Sequence, residues 1–350
     1  MCIKLQLNLK DHDVLIGDGE KCFIVAEIGV NHNGSIDTAK KLIEMAKKSG
    51  ADAVKFQTWK TENIILKDVD LADYQRAKTN TEETQFEMLK KLELSYDSYF
   101  ELKKYADNIG IIFFSTMEDK ESVDFLINEV GIPLIKVGSG DLSNYPLLKY
   151  TAKYNIPMVL STGMSTLSEI DDAMKYVNRS NVILLQCTTQ YPCLYENVNL
   201  KAMLTLKEVF KTVVGFSDHS LGIECAIASV ALGASYVEKH FTLDKNMRGP
   251  DHAFSLEYKE FKEMVSKIRN VESALGNGIK TQMTSSDMDN IKKKIVAGQD
   301  IKKGDVFGEN NILLKRSKCG LDAKYYNVIE GKISKKCINK DEAIFIDYCR

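Results

Sequence analysis

The feature that most constrains the fold is an alternation of short, mainly apolar runs with amphipathic helical patterns, which repeats eight times along the chain. The eight runs are 22–29, 53–58, 111–116, 133–139, 157–163, 182–188, 213–218 and 236–242. Short apolar runs of this kind are typical of parallel strands that are buried on both faces. Eight strand–helix units in about 250 residues predict an α/β fold, a (β/α)8 TIM barrel with its active site at the carboxyl ends of the strands.

Signals between the runs support this fold and speak against its main rival. Ser35 is an expected helix N-cap, Gly50 an expected helix end, and Thr166 with Glu169 a predicted capping box. The rival is an open, doubly wound sheet, which usually has fewer strands and often carries a GxGxxG or GxxxxGK[ST] loop for nucleotides. Neither loop follows any of the eight runs.

The chain is predicted to have two domains. Residues 1–279 would form the barrel, 280–294 a polar, lysine-rich linker, and 295–350 a small β-rich domain, because short apolar pieces alternate there with turn residues. Residues 1–10 alternate apolar and polar side chains, which is typical of an edge strand and not of a signal peptide. The long, polar connection 59–83 is predicted to be a substrate-covering loop.

Charge and cysteine usage limit the classes of partner. The chain has 47 basic and 49 acidic residues, spread along its whole length, so no nucleic-acid partner is expected. No segment is long and apolar enough to predict a membrane span. The eight cysteines show no CxxC and no regular spacing, which indicates reduced thiols in a cytoplasmic protein, with Cys22, Cys187 and Cys225 as small core residues.

Polar residues interrupt the apolar runs near their carboxyl ends. Because side chains alternate along a strand, Lys55 and Gln57 share one face, and Glu238 and His240 share another. Similar positions hold Glu27, Lys136, Ser139, Ser161, Thr162, Ser217, Asp218 and His219. A single such residue is usually only the solvated start of a loop. Their recurrence on nearly every strand predicts a pocket for a small phosphorylated anion, since ammonium and hydroxyl groups bind phosphate and carboxylate oxygens.

Two of the five histidines, His219 and His240, end adjacent strands. Two imidazoles there could hold one divalent metal together with water and substrate oxygens, but hydrogen-bonded histidines at strand ends are equally compatible with the spacing. Asp251, which follows the last strand in Gly249-Pro-Asp-His252, is either a carboxylate that binds a polyol or part of a turn. The residues alone leave both alternatives open.

Seven motifs contain these polar residues: 26–34 (AEIGVNHNG), 54–58 (VKFQT), 136–140 (KVGSG), 160–164 (LSTGM), 215–219 (GFSDH), 238–242 (EKHFT) and 249–251 (GPD). Taken together, these motifs resemble those of the sialic acid synthase family. They occur in the family's order over nearly the whole chain, and 300–304 (DIKKG) with 314–316 (LKR) resembles that family's antifreeze-like (SAF) domain. Any single motif would be weak, whereas the ordered set is highly specific.

The resemblance implies an enzyme that condenses phosphoenolpyruvate with an open-chain amino sugar, either N-acetylmannosamine or a 6-deoxy diacetamido relative, and releases phosphate by C–O cleavage. The implied phosphoenolpyruvate-binding residues are Lys55, Thr116, Lys136, Ser139, Ser161 and Ser217. The implied sugar-binding residues are Glu27, Gln57, Tyr191, Asp251 and Arg316, and the implied catalytic groups are Glu27, Lys55 and Lys136. His219 and His240 would bind a divalent metal, in first place Mn2+, with Mg2+ or Co2+ as alternatives.

The resemblance further implies a domain-swapped homodimer, in which Arg316 on the tail domain reaches the barrel of a partner subunit and binds the sugar's N-acetyl group. The chain departs from the family at several points. Residues 115–118 read STME where the family often has STPF, Asp141 replaces a frequent Glu, Thr189 stands where some members have Asn, and Arg316 precedes Ser-Lys-Cys instead of Pro-Gly-Asn. Segments 188–192 and 241–247 are closer to legionaminic-type members.

Two other functions compete with this prediction. Another phosphoenolpyruvate-condensing barrel that acts on a sugar phosphate would need a basic site for the second phosphate, and neither the loop 59–83 nor the tail shows an obvious Arg cluster. The second is a non-catalytic protein that binds carbohydrate through the tail domain 295–350. Such a protein would not need Glu27, the two lysines and the two histidines together. Both are therefore less favoured than the synthase.

Overall fold

The computed structural model describes residues 3–10, 12–72, 75–76, 83–280 and 291–350. The chain divides into two compact units, Met1–Asn277 and Gly278–Arg350. This division lies close to residue 279, where the predicted barrel domain ends. Of the predicted linker 280–294, residues 281–290 lie outside the described residues.

An antiparallel hairpin precedes the barrel. Its strands are β1 (Lys4–Asn8) and β2 (Asp13–Gly17), which pair with each other and with no strand of the barrel in the described chain. Along β1 the side chains alternate between exposed and buried, and Leu5 and Leu7 join the main core. The predicted strand in residues 1–10 is therefore present, as half of a hairpin.

Eight parallel strands close into a barrel. They are β3 (Phe23–Gly29), β4 (Ala53–Thr58), β5 (Ile112–Met117), β6 (Ile135–Val137), β7 (Met158–Ser161), β8 (Val182–Cys187), β9 (Val213–Asp218) and β10 (Tyr236–His240). Each strand pairs with the next, and β10 also pairs with β3, which completes the ring. The prediction of a (β/α)8 barrel is confirmed. Strand β6 is shorter than the predicted run 133–139, because Ser139–Asp141 turns into a short 3-10 helix.

Helices connect the strands and cover the outside of the barrel. They are α1 (Ile36–Ser49), α2 (Thr61–Ile64), α3 (Gln85–Leu92), α4 (Tyr96–Ile109), α5 (Lys120–Asp124), α6 (Tyr145–Thr151), α7 (Leu167–Met174), α8 (Tyr195–Val198), α9 (Lys201–Phe210), α10 (Glu224–Ala231) and α11 (Tyr258–Leu275). Helix α5 continues as a π-helix, Phe125–Val130. None of the helices in the described part of the chain combines the length and apolarity that a membrane crossing requires.

The predicted helix signals are confirmed where they can be compared. The Ser35 side chain accepts a hydrogen bond from the Thr38 N–H at the start of α1, and α1 ends at Gly50, whose φ of 91° is left-handed. Thr166 and Glu169 form the predicted capping box of α7. Local sequence thus sets where these helices begin and end.

The long connection after β4 packs against the barrel through a small apolar cluster. Its members are Val30, Trp59, Leu71, Met88 and Leu92, the last two from α3. Residues 73–74 and 77–82 of the predicted covering loop lie outside the described residues. The described part therefore holds α3 next to the loop that follows β3.

The second unit has its own small core. Strands β11 (Lys293–Ala297) and β12 (Ile312–Arg316) form an antiparallel pair, and a short helix, α12 (Tyr326–Ile329), follows them. The core contains Ile295, Ile301, Phe307, Ile312, Ile338 and Ile344. The resemblance of this unit to an antifreeze-like domain stays a prediction.

Candidate active site

Four buried charges lie together at the carboxyl end of the barrel. Nζ of Lys55 lies 2.5 Å from Oε2 of Glu27, and Nζ of Lys136 lies 3.3 Å from Oε1 of Glu238. Each of these residues is at most 4 % exposed. Burying a charge without a partner is costly because the ion loses its hydration. The two ion pairs offset that cost and leave the group of four without net charge.

Hydroxyl groups surround the two ammonium groups. Lys55 donates a hydrogen bond of 3.0 Å to Oγ1 of Thr116, and Lys136 donates one of 2.7 Å to Oγ of Ser161. Ser217 donates a hydrogen bond of 2.9 Å to Glu238. Ser139 accepts a hydrogen bond of 3.0 Å from the Gly163 N–H. Thr116 and Ser161 thus contact the ammonium groups directly, whereas Ser217 is linked to Lys136 through Glu238, and Ser139 lies beside Gly163. We call these hydroxyl and ammonium groups the hydroxyl cradle.

Burial and neighbouring charges shift the pKa values of the carboxyl groups of Glu27 and Glu238 in opposite directions. Burial raises the pKa of Glu27, and the neighbouring ammonium of Lys55 offsets only part of the rise. Burial also tends to raise the pKa of Glu238, but the ammonium groups of Lys136 and Lys55 outweigh it and hold that pKa at about 2. Glu238 is therefore the ionised partner of the lysines, whereas the pKa of Glu27 lies above its ordinary value, which makes Glu27 the better candidate for proton transfer.

The imidazoles of His219 and His240 lie side by side at the same mouth, with ring centroids 5.6 Å apart. Nδ1 of His219 lies 2.9 Å from the Thr188 carbonyl oxygen, which favours a proton on Nδ1 and leaves Nε2 with a lone pair. Burial lowers the pKa of His240 far below its usual range, and the nearby His219 adds to this effect. Nδ1 of His240 is buried, has no hydrogen-bond partner among the described residues and lies 3.6 Å from Asp251.

These observations fit a metal ligand pair. Imidazole binds a divalent ion in its neutral form at about 2.1 Å, so two ring centroids on one ion lie at most about 6.4 Å apart. The observed spacing of 5.6 Å is within that limit. Within the described residues, no group of three or more His, Cys, Asp or Glu side chains is placed to hold an ion. The protein would therefore supply two imidazoles, and substrate and water would supply the remaining ligands.

A cavity of about 150 Å³ opens beside the imidazole of His240. One wall is polar and includes Gln57, Gln75, Tyr191, His240 and Asp251. Four further lining residues, Val30, Met88, Leu89 and Leu92, are apolar and pack in one cluster, which we call the apolar wall. Burial, together with the charge of Glu27, raises the pKa of Asp251 to about 7. Three of the residues predicted to bind the sugar, Gln57, Tyr191 and Asp251, thus line one cavity.

Glu27 connects the two halves of the site. Its Oε1 accepts a hydrogen bond of 2.8 Å from Gln57, which lines the cavity, and its Oε2 faces Lys55, which lies in the hydroxyl cradle. Arg316, the remaining residue predicted to bind the sugar, is exposed on β12 of the second unit. Its contact with a sugar stays a prediction.

The structure gives contacts within the site to two residues, Cys187 and Glu238, for which the sequence specified no role there. Cys187 is buried, as predicted, but its Sγ lies 3.8 Å from Nδ1 of His219 and 3.7 Å from Oγ of Ser139 rather than in an apolar core. Glu238 also accepts a hydrogen bond of 2.8 Å from Tyr236 and pairs with Lys136. The alternation of side chains along β10 was a usable signal for Glu238, because it places this residue on the same face as His240.

The fold and this set of side chains define a TIM-barrel protein with a buried cradle of ammonium and hydroxyl groups beside an imidazole pair. The NeuB family matches the chain over residues 42–280. The chain is 47% identical over 333 residues to the N,N'-diacetyllegionaminic acid synthase of Campylobacter jejuni, covering 93% of this chain and 99% of that protein. It is 40% identical to the N,N'-diacetyllegionaminic acid synthase of Legionella pneumophila, covering 91% and 92%.

Among solved structures, the N-acetylneuraminic acid (sialic acid) synthetase from Leptospira borgpetersenii matches with a TM-score of 0.71 and 30% identity, over 83% of this chain and 96% of that chain. The chain belongs to the NeuB family.

Proposed function

We propose that the protein is a nonulosonic acid synthase that condenses phosphoenolpyruvate with an open-chain, N-acetylated amino sugar and water. The observation that carries the proposal is the convergence at one barrel mouth of two buried lysines, their hydroxyl neighbours and two imidazoles. Phosphoenolpyruvate has a carboxylate and a phosphate, and ammonium and hydroxyl donors suit both. An aldehyde at the imidazole pair would then lie next to the bound anion.

The reaction forms a bond between carbon 3 of phosphoenolpyruvate and the aldehyde carbon. Positive charge develops at carbon 2, water adds there, and the C–O bond to phosphate breaks. His219 and His240 would hold a divalent metal, in first place Mn2+, which would supply a Lewis acid for the aldehyde oxygen. Glu27, placed between the anion cradle and the sugar cavity, would stabilise the cationic carbon and orient the water or transfer its proton.

The two walls of the cavity favour a 6-deoxy diacetamido sugar over N-acetylmannosamine. The apolar wall of Val30, Met88, Leu89 and Leu92 suits methyl groups, whereas a hydroxyl group there would lose its hydrogen bonds to water. Gln57, Tyr191 and Asp251 on the polar wall would bind hydroxyl and amide groups. The names of the relatives from Campylobacter and Legionella support the same substrate class.

The tail unit would complete the site in a domain-swapped homodimer. Arg316 is exposed on β12, where a guanidinium is free to reach an amide carbonyl of a bound ligand. In this proposal the partner subunit's Arg316 binds the sugar's N-acetyl group. Sedimentation of the full chain would show a dimer, and a monomer that retains full turnover would contradict this arrangement.

A substrate panel tests the function. The protein is incubated with phosphoenolpyruvate, Mn2+ and one acceptor, and products are identified by mass spectrometry while phosphate release is followed. The panel contains N-acetylmannosamine, a 6-deoxy diacetamido hexose, arabinose 5-phosphate and erythrose 4-phosphate. We expect a nine-carbon product from the 6-deoxy diacetamido sugar and the highest turnover with it. Turnover on a sugar phosphate alone would identify a different condensing enzyme, and no heat on titration with phosphoenolpyruvate and Mn2+ would indicate a non-catalytic protein.

A further inference from the structure

A buried ion pair on the outer side of the barrel wall links the two strand ends that carry the imidazoles. Lys239 precedes His240 on β10, and Asp218, the last residue of β9, precedes His219. Side chains alternate between the two faces of a strand. The side chain of Asp218 therefore faces away from that of Ser217, and the side chain of Lys239 faces away from that of Glu238. Lys239 and Asp218 are also directly paired in the β9–β10 register.

The contacts of this pair involve the residues on either side of His219 in the sequence. Nζ of Lys239 lies 2.7 Å from Oδ2 of Asp218 and also donates a hydrogen bond of 2.7 Å to the carbonyl oxygen of Ser220. Oδ1 of Asp218 accepts hydrogen bonds from the N–H and the hydroxyl group of Ser220, at 2.8 and 2.6 Å. One ammonium therefore holds the residue before His219 and the residue after it. We call Asp218, Ser220 and Lys239 the clamp.

The charged side chains of the clamp are shielded from water. The side chains of Lys239 and Asp218 are 1% and 0% exposed, so water does not compete for their hydrogen bonds. A buried ion pair contributes little net stability compared with apolar residues of similar size, because desolvation offsets the attraction. What such a pair does provide is a fixed arrangement of the backbone segments that it joins. Here those segments are the end of β9 and the end of β10.

We propose that Asp218, Ser220 and Lys239 are positioning residues that set the separation of His219 and His240 and so determine metal affinity. The inference rests on the proposed function in that the imidazole pair is taken as the metal site. Metal coordination tolerates only about 0.2 Å of error in each ligand distance, so a small shift of one strand end would weaken binding. The hydrogen bonds that the structure describes for the clamp side chains involve neither the hydroxyl cradle nor the cavity lining, so binding of the anion should not depend on them.

The test compares metal and anion affinity in a variant that removes both charges at once, Asp218→Asn with Lys239→Met. Removing the pair together avoids leaving one buried charge without a partner. Mn2+ binding is measured from the electron paramagnetic resonance signal of free Mn2+, and phosphoenolpyruvate binding by calorimetry without metal. We expect the Kd for Mn2+ to rise at least about tenfold, as is typical when a residue that orients a metal ligand is lost. The Kd for phosphoenolpyruvate should change less than about twofold, since the sites are separate.

The matched control removes an ion pair at the other end of the barrel, Arg269→Met with Asp52→Asn, whose atoms Nη2 and Oδ2 lie 3.0 Å apart. It should lower the melting temperature without changing Mn2+ affinity. A milder variant, Ser220→Ala, keeps both charges and should weaken Mn2+ binding by about threefold through the loss of one hydrogen bond. This variant keeps the test decisive if the double variant does not fold.

The outcomes separate the two proposals. Wild-type protein that does not bind Mn2+ would overturn the metal site itself and the clamp with it. Wild-type binding with Mn2+ affinity unchanged in the folded clamp variants would overturn only the positioning role. An equal loss of Mn2+ and phosphoenolpyruvate binding in the clamp variants would also overturn it, because it would indicate a general disturbance of the barrel.

Discussion

Oε2 of Glu27 lies 2.5 Å from Nζ of Lys55 inside the barrel, while Oε1 of the same carboxyl group is held by Gln57. Glu27→Gln keeps the size of the side chain but removes its charge and its ability to take a proton. We expect kcat to fall by about a hundredfold or more, in the range found for general acid–base groups. Phosphate release gives kcat, and calorimetry shows whether phosphoenolpyruvate still binds. A variant with wild-type kcat would remove Glu27 from the catalytic groups.

Loss of either imidazole should abolish the response to metal. In His219→Ala or His240→Ala only one protein ligand remains, and the affinity of a site falls when a ligand is lost. We expect metal-stimulated phosphate release to disappear while the melting temperature stays close to that of wild type. His12→Ala, at an exposed position, is the control and should keep the response. Full metal-dependent turnover in either site variant would show that the ligand assignment is wrong.

Arg316→Ala should affect the sugar and not the anion. The side chain is assigned only to the N-acetyl group, so the KM for the sugar should rise about tenfold or more, as for a lost charged hydrogen bond. The Kd for phosphoenolpyruvate should stay the same. Lys315→Ala, its exposed neighbour on β12, controls for loss of a positive charge on that strand. If both substrates were affected equally, a misfolded tail would be the better explanation.

The apolar wall of the cavity should govern discrimination between acceptors. Leu89→Gln places an amide on that wall, where it can bind a hydroxyl group and no longer offers an apolar surface to a methyl group. We expect the ratio of kcat/KM for the 6-deoxy diacetamido sugar to that for N-acetylmannosamine to fall about tenfold, which is typical of one apolar contact. Leu89→Met preserves the apolar surface and should keep the ratio. An unchanged ratio in Leu89→Gln would show that this wall does not contact the discriminating group.

Glu118 should make stability depend on pH. Burial, together with the charges of Asp141 and Asp119, raises its pKa from 4.5 to about 7. Between these two pH values the folded state binds more protons at this group than the unfolded state does, so stability rises as the pH falls from 8 to 5. Glu118→Gln removes this group, and we expect a melting temperature that is higher by a few degrees at pH 8 and unchanged at pH 5. The exposed Glu196→Gln should show no such difference. A gain at pH 5 equal to that at pH 8 would contradict the raised pKa.

Much of the fold and the positions of the site residues could be predicted from the sequence. Buried parallel strands and amphipathic helices leave a local pattern of apolar residues, and eight repeats of it identify a barrel. The same local logic placed Lys55, Lys136, His219 and His240 at strand ends, because the parallel strands of a barrel all end at one mouth. The ends of α1 and α7 followed from Ser35, Gly50 and a capping box in the same way.

Only the tertiary structure decided which of these groups become partners. The pairing of Lys136 with Glu238, the closeness of Cys187 to His219, and the apolar wall that α3 adds to the cavity each join segments that are far apart in sequence. Such contacts depend on the register and closure of the eight strands and on how the long connection 59–83 packs. Every residue of the core contributes to this arrangement. Alternation along one strand tells which face a side chain occupies. The distance to its neighbour across the barrel, and with it the pKa of a buried carboxyl group, is set only when the ring has closed.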